Sequence, residues 1–256
     1  MGSVIIGAVD PCVAPVYPVC RCLAISAIMT IRLFPTGYLM TSPANRCRLV
    51  LVTPDIADAG ELAEIMANAL RGGDVASVII PQHGIDEKSF QQRCEALIPV
   101  IQAAGAAALV AGDTRVAGRV RADGLHIEAG PTAMAEAVER HAPGLIVGGG
   151  NAKERHAALS IGEAQPDYLI FGSIAGDIKP EPHPKNLALA EWWADMIEIP
   201  CVLMGGTSTA FVEEMAATDA EFIAFGQAVF SQPADAPRLV AEINAVLDEK
   251  APRFGA

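Results

Sequence analysis

Two glycine turns lie near the C-terminus, Gly205-Gly206 after the apolar run Cys201–Met204 and Gly226-Gln227 after Phe222–Phe225. Short apolar runs bounded by glycine fit buried parallel strands. Glycine at the strand end lets a ligand approach main-chain N–H groups, and each turn precedes a helix pattern. Two helix N-termini side by side offer unpaired donors and the positive ends of two dipoles, which suits a phosphate. Gly205, Gly206, Gly226 and Gln227 are therefore the expected phosphate-binding residues. Such glycines also serve as ordinary turn residues, so the chemistry requires the two turns to be neighbours in space.

That requirement points to the scaffold. From Arg48 onward a strand–helix alternation repeats eight times. Strands are expected over 48–53, 75–81, 107–111, 124–127, 145–147, 168–171 and the two runs above. Helices are expected over 61–70, 86–104, 115–120, 132–141, 153–161, 187–196 and 237–247, with Asp86 as an N-cap. Eight such units form a single-domain (β/α)8 TIM barrel over 47–256, in which phosphate usually sits in the loops after the last two strands. A doubly wound open sheet competes, but no strand is followed by a Gly-x-Gly-x-x-Gly turn.

The 256-residue chain is 52% hydrophobic and only 5% aromatic, as a tightly packed α/β protein is, and its formal net charge is −12. That field repels polyanions, so neither nucleic acid nor an anionic membrane is an expected partner. A small anionic ligand is compatible if local donors overcome the field. The six cysteines show neither a zinc-knuckle spacing nor a disulfide framework, which implies free thiols in a reducing, cytoplasmic compartment. Residues 1–46 are Pro- and Cys-rich and read as an irregular extension, with Met40 as an alternative start. The apolar run 22–34 is interrupted by Arg32 and is shorter than the ~20 residues of a membrane span. Oligomeric state stays open, a homo-oligomer included.

Taken together, several strand-end pieces resemble the thiamine phosphate synthase / TenI family of barrels. They are Leu51-Val-Thr53, Ala122-Asp-Gly-Leu-His126, Asp167-Tyr168 with Phe171-Gly172, Pro200-Cys-Val-Leu-Met-Gly-Gly206 and Ala224-Phe-Gly-Gln-Ala-Val229. The resemblance covers most of 49–248 and excludes the extension. It implies a Mg²⁺-dependent transferase that joins a pyrimidine methyl pyrophosphate to a thiazole phosphate and releases pyrophosphate. The expected partner is a small phosphorylated heterocycle held at the glycine turns. The alternatives are a non-catalytic paralogue that keeps the phosphate cradle, and a TenI-like isomerase.

Positive charge develops on the pyrimidine methylene as pyrophosphate leaves, so the reaction needs cations and metal on the leaving group. By resemblance, Asp113 in Gly112-Asp-Thr-Arg115 is a metal carboxylate, and Glu128 stands near the position of a second one. Lys179 in Lys179-Pro180 matches the family's pyrophosphate-binding lysine. Ile79-Ile-Pro-Gln-His83 stands where the family carries an Arg and a Lys, and Gly150 and Ala152 stand where it carries Ser and His. His83 is a potential proton donor to the leaving group, imidazole being a side chain able to give and take a proton. Asp113 also reads as an N-cap, and His126 as a packed histidine of the barrel mouth.

Overall fold

The computed structural model describes residues 45–176 and 178–254. Eight parallel strands close into a barrel in sequence order: β1 Arg48–Val52, β2 Ser77–Pro81, β3 Ala107–Ala111, β4 Gly124–Ile127, β5 Ile146–Gly149, β6 Tyr168–Phe171, β7 Cys201–Met204 and β8 Phe222–Phe225. Strand β8 returns to β1, with Leu51 opposite Phe225, so the sheet has no free edge. The connecting helices are α1 Ala59–Leu70, α2 Glu87–Ala103, α3 Thr114–Val120, α4 Pro131–His141, α5 Arg155–Gly162, α6 Pro184–Met196, α7 Val212–Ala216, α8 Gln227–Phe230 and α9 Ala236–Lys250. The expected (β/α)8 barrel is the fold observed. Expectations for residues 1–44 lie outside the described residues. Asn45 and Arg46, assigned by sequence to the extension, pair with the C-terminal segment: Phe254 N–H donates to Asn45 O at 2.7 Å, and Arg46 bridges Arg253.

Local sequence accounts for the helices. Asp58 caps α1 by accepting from Glu61 N–H, and Asp86 caps α2 by accepting from Lys88 and Ser89 N–H. Helix α1 turns Leu62, Met66, Ala69 and Leu70 inward as one stripe. Fully burying Leu62 or Met66 contributes about 1.5–3 kcal/mol each. Trp193 of α6 is fully buried and donates Nε1–H to Ile199 O at 2.7 Å, while half-buried Trp192 lies under Arg155.

Alternation along the strands separates two cores. Leu49, Leu51, Val78, Ile80, Val110, Leu125, Leu169 and Phe171 face the helices, while Val50, Val52, Ile79, Leu109, Tyr168, Ile170, Val202 and Met204 fill the barrel interior. An acidic side chain just before each even-numbered strand ties the sheet at its N-terminal rim. Asp74 pairs with Arg48; Asp123 accepts from Ala108 N–H, Asp167 from Val147 N–H and Glu221 from Cys201 N–H. Each joins an even strand's entry to the preceding odd strand, so the barrel is built from four repeats of a two-strand unit. The free thiols Cys47, Cys94 and Cys201 are buried, and burial pushes the first two up to about 12, which makes them inert packing groups. Among the described residues no helix is long and apolar enough to cross a membrane.

Candidate functional site

The C-terminal ends of the strands carry every residue singled out by sequence, as barrel sites require. The two glycine turns are neighbours, because β7 pairs with β8 and Met204 stands opposite Ala224. Their amides are unequally free. Gly205 N–H donates to Ala224 O at 2.9 Å, Thr207 N–H to Lys179 O at 2.8 Å and Ser208 N–H to Pro180 O at 3.2 Å. A Cβ on Gly206 would collide with the carbonyl oxygens of Lys179, Pro180 and Glu181. The β6–α6 loop therefore lies directly on the β7 turn, and only glycine at position 206 permits that approach. At the β8 turn a Cβ on Gly226 would sit 3.4 Å from Val52 O, which is ordinary contact. Gln227 is exposed and opens α8, whose first amides have no acceptor within the helix.

The remaining sequence-derived residues ring the mouth without converging. Half-buried His83 follows β2 with φ 51°, a conformation His adopts more readily than most residues. Its Nε2 lies 3.1 Å from Thr53 O. A carbonyl only accepts, so Nε2 carries the proton and Nδ1 is left as the basic atom. Lys179, on the β6 side of the ring, is exposed and forms no ion pair among the described residues. His83 follows β2, whereas the Lys179 backbone lies against the β7 turn, so the two residues belong to non-adjacent strands of the ring.

Asp113 caps α3 and accepts from the Arg115 backbone N–H at 2.9 Å and from Arg115 Nη2 at 2.6 Å. Those bonds from Arg115 hold its carboxyl down at about 2. Glu128, beyond β4, has its carboxyl raised by partial burial, an effect opposed by the amide of Ile174. Among the described residues no three His, Cys, Asp or Glu side chains gather as a metal site. As a cage made by protein alone, Asp113 and Glu128 do not fit Mg²⁺.

The open volume at the mouth is a cavity of about 590 Å³ over β4 to β7. Glu128, Asn151, Lys153, His183, Lys185 and Asn186 supply its polar lining, with Met204 from the barrel interior. Asn151 takes φ 68° and donates Nδ2–H to Glu128 O at 3.2 Å, tying the β5 loop to the β4 loop. His183 caps α6 through Nδ1, which accepts from Lys185 N–H at 3.2 Å. Sequence reasoning passed over Asn151, Lys153, His183 and Asn186. A signal existed at His183-Pro184, a capping residue followed by Pro at the first helical position.

Beneath the cavity His126 is 2% exposed, and its Nδ1 lies 3.0 Å from Tyr168 Oη. This is the packed histidine expected from sequence. Tyr168 fills the space over Gly148, where any Cβ would strike the ring. Burial alone lowers His126 to about 3, so it stays neutral. Its Nε2 and the Thr53 hydroxyl are the buried side-chain polar atoms without a partner among the described residues.

Comparison with known proteins places this geometry. Residues 49–229 match the family described as thiamine monophosphate synthase. A thiamine-phosphate synthase of Rhodospirillum centenum is 32% identical over 204 residues, spanning 78% of this chain and 98% of that protein. A thiamine-phosphate synthase of Hyphomonas neptunium is 28% identical over 215 residues, spanning 82% of this chain and 97% of the relative. A thiamine phosphate pyrophosphorylase structure from Pyrococcus furiosus superposes with a TM-score of 0.67 at 22% identity, covering 81% of this chain and 98% of that one, which supports the barrel fold. The matched span runs from β1 through α8 and contains every candidate site residue. This chain belongs to the thiamine monophosphate synthase family.

Proposed function

We propose that the protein condenses a pyrimidine methyl pyrophosphate with a thiazole phosphate to give thiamine phosphate and pyrophosphate. The observation that carries this reading is the 32% identity to a curated synthase across nearly that protein's whole length. In the reaction the thiazole nitrogen forms a bond to the pyrimidine methylene as the carbon–oxygen bond to pyrophosphate breaks. The thiazole phosphate is assigned to Gly206, Gly226 and Gln227, with Gly205 shaping the turn through its bond to Ala224. Lys179 would neutralise charge on the leaving pyrophosphate. His83, protonated also at Nδ1, would donate to it from the loop after β2.

Mg²⁺ enters this proposal as the counter-ion of the pyrophosphate substrate. Such an ion draws most of its ligands from phosphate oxygens and water, and Asp113 and Glu128 are the proposed protein carboxylates. No step assigned to the protein's residues depends on it. A cytoplasmic location belongs to the same proposal.

The test is turnover of the two precursors with Mg²⁺, reading thiamine phosphate by chromatography and released pyrophosphate by a coupled assay. Equal amounts of both products are expected, with a loss of about 100-fold in Lys179→Ala. Asn caps a helix as well as Asp does, so a comparable loss in Asp113→Asn would report the charge rather than the cap. A second reading, a non-catalytic phosphate-binding paralogue, draws support from the amides spent at the β7 turn and from Asp113 being held by Arg115. Binding of thiazole phosphate by calorimetry without turnover would replace the synthase reading with that one.

A further inference from the structure

One helix of the outer ring is apolar on two faces. Helix α6 turns Leu189, Ala190 and Trp193 into the core. Its residues Ala188, Trp192 and Met196, at i, i+4 and i+8, form a second apolar row that is exposed or half-buried. A helix with one buried face keeps its outer row polar, so this second row calls for cover. The neighbouring α5 extends the patch. Arg155 of α5 stands 4.9 Å over the Trp192 ring, and Leu159 lies one turn further along the same flank. Among the described residues the exposed large hydrophobic side chains are Leu159, Ile178 and Met196, at 43%, 92% and 68% exposure. Two of the three therefore fall one turn from the Arg155–Trp192 pair. The charges beside the patch are also unmatched. Exposed Arg115, Arg119 and Arg238 each pair with an acid of the same chain. Arg155 on α5, and Glu191 and Asp195 on α6, are exposed and form no ion pair among the described residues.

We propose that the α5–α6 face binds a second copy of this chain to form a symmetric dimer. A symmetric contact requires one patch to complement itself. With the twofold axis along the seam between the two helices, α5 of each copy lies over α6 of the other. Leu159 of one copy then covers Met196 of the other, with Trp192 near the centre, where the strongest interface anchors sit. Arg155 of one copy meets Glu191 and Asp195 of the other. One operation thus pairs the cation of α5 with the anions of α6 twice, which fixes the register of the contact. A partner of different sequence would have to supply a complementary surface of its own, whereas both halves of this contact are present in one patch. The dimer concerns the outer helices and holds whether or not the protein turns over thiamine precursors.

The experiment follows the full chain by sedimentation velocity over a wide range of concentration, where a monomer–dimer equilibrium is expected. Leu159→Glu and Met196→Glu change exposed side chains, so the fold should survive, while the dimer dissociation constant rises about 100-fold. Ile178→Ser removes an exposed apolar side chain outside the patch and should change that constant less than about twofold. Mixing tests the charges. Arg155→Glu and Asp195→Arg each set like charges against one another in their own dimers, and each should weaken association about tenfold. In the mixed dimer of these two variants both contacts again join opposite charges, so its affinity should return to within about threefold of wild type. A contact made within one chain cannot be restored by mixing. Monomer at every concentration, a dimer indifferent to Met196→Glu, an equal loss in Ile178→Ser, or a mixture no tighter than its components overturns the proposal.

Discussion

At the β7 and β8 turns, backbone is bonded to backbone; over the loops after β4 to β6, side chains stand around an open volume that reaches Met204 of β7. The first region is glycine-dense and its own chain has already come close: three carbonyls of the β6–α6 loop crowd Gly206, and the Thr207 and Ser208 amides donate to two of them. The second carries Asn151, Lys153, His183, Lys185 and Asn186 on two loops that leave about 590 Å³ between them. Glycine permits close approach by any backbone, a ligand's phosphate or the protein's own strap, and the residue type does not say which. Cationic side chains that line a concave volume and form no ion pair among the described residues, as Lys153 and Lys185 do, are the stronger sign of a ligand in this molecule.

The largest effect that separates the two glycine turns is expected at Gly206. Gly206→Ala forces a methyl into the three loop carbonyls, and overpacking of that kind costs about 3 kcal/mol, or roughly 6–12 °C in Tm. Gly226→Ala places its methyl in ordinary contact and should cost less than about 1 kcal/mol. Paired thermal melts of the two variants provide the measurement. Equal losses would mean that the β6–α6 loop does not clamp the β7 turn, and the distinction between the two sides of the mouth would fall.

The eight strand–helix units were legible because apolar runs and glycine punctuation recur at barrel spacing. Strands β3, β4 and β6 span the residues expected. The adjacency of the glycine turns followed from strand order alone. The state of their amides did not, because it depends on a loop whose closure onto Gly206 is a tertiary event with no local pattern. The cavity was illegible for a related reason. Lys153 and Lys185 are far apart in sequence; Lys185 could be offered from sequence as a substitute cation beside His83 and Glu128, but only barrel closure sets it and Lys153 around one volume. Asp123, Asp167 and Glu221 show the reverse: isolated acids in the sequence prove to be one device repeated along the rim.

His126 lies beneath the open side and gives a pH-dependent readout of it. Its pKa is lowered to about 3 in the folded protein against about 6.5 unfolded, so folding favours the neutral ring. The resulting stability is fully present above pH 6.5 and declines as pH falls toward 3. Between pH 7 and pH 5 the loss should be about 2 kcal/mol. His126→Asn removes that titration, so its urea midpoint should shift less over the same interval. An identical shift in both proteins would mean that His126 is solvated in solution, and that the cavity reaches deeper than the Tyr168 layer.

The smallest expected effect is a gain. His126 Nε2 is buried without a partner, and a Cβ on Gly150 would stand 3.4 Å from it. The backbone at Gly150 is not among those in the left-handed region, so an L side chain fits without backbone strain. A serine hydroxyl at that position can rotate either to donate to Nε2 or to accept from it. Satisfying a buried orphan nitrogen is worth about 1 kcal/mol, so Gly150→Ser should raise Tm by about 2–4 °C. If Nε2 instead waits for a ligand entering from the cavity, the same serine should weaken that ligand's binding while stabilising the empty protein. Calorimetry with thiazole phosphate on wild type and Gly150→Ser separates the outcomes, since a purely structural orphan predicts higher Tm with unchanged affinity.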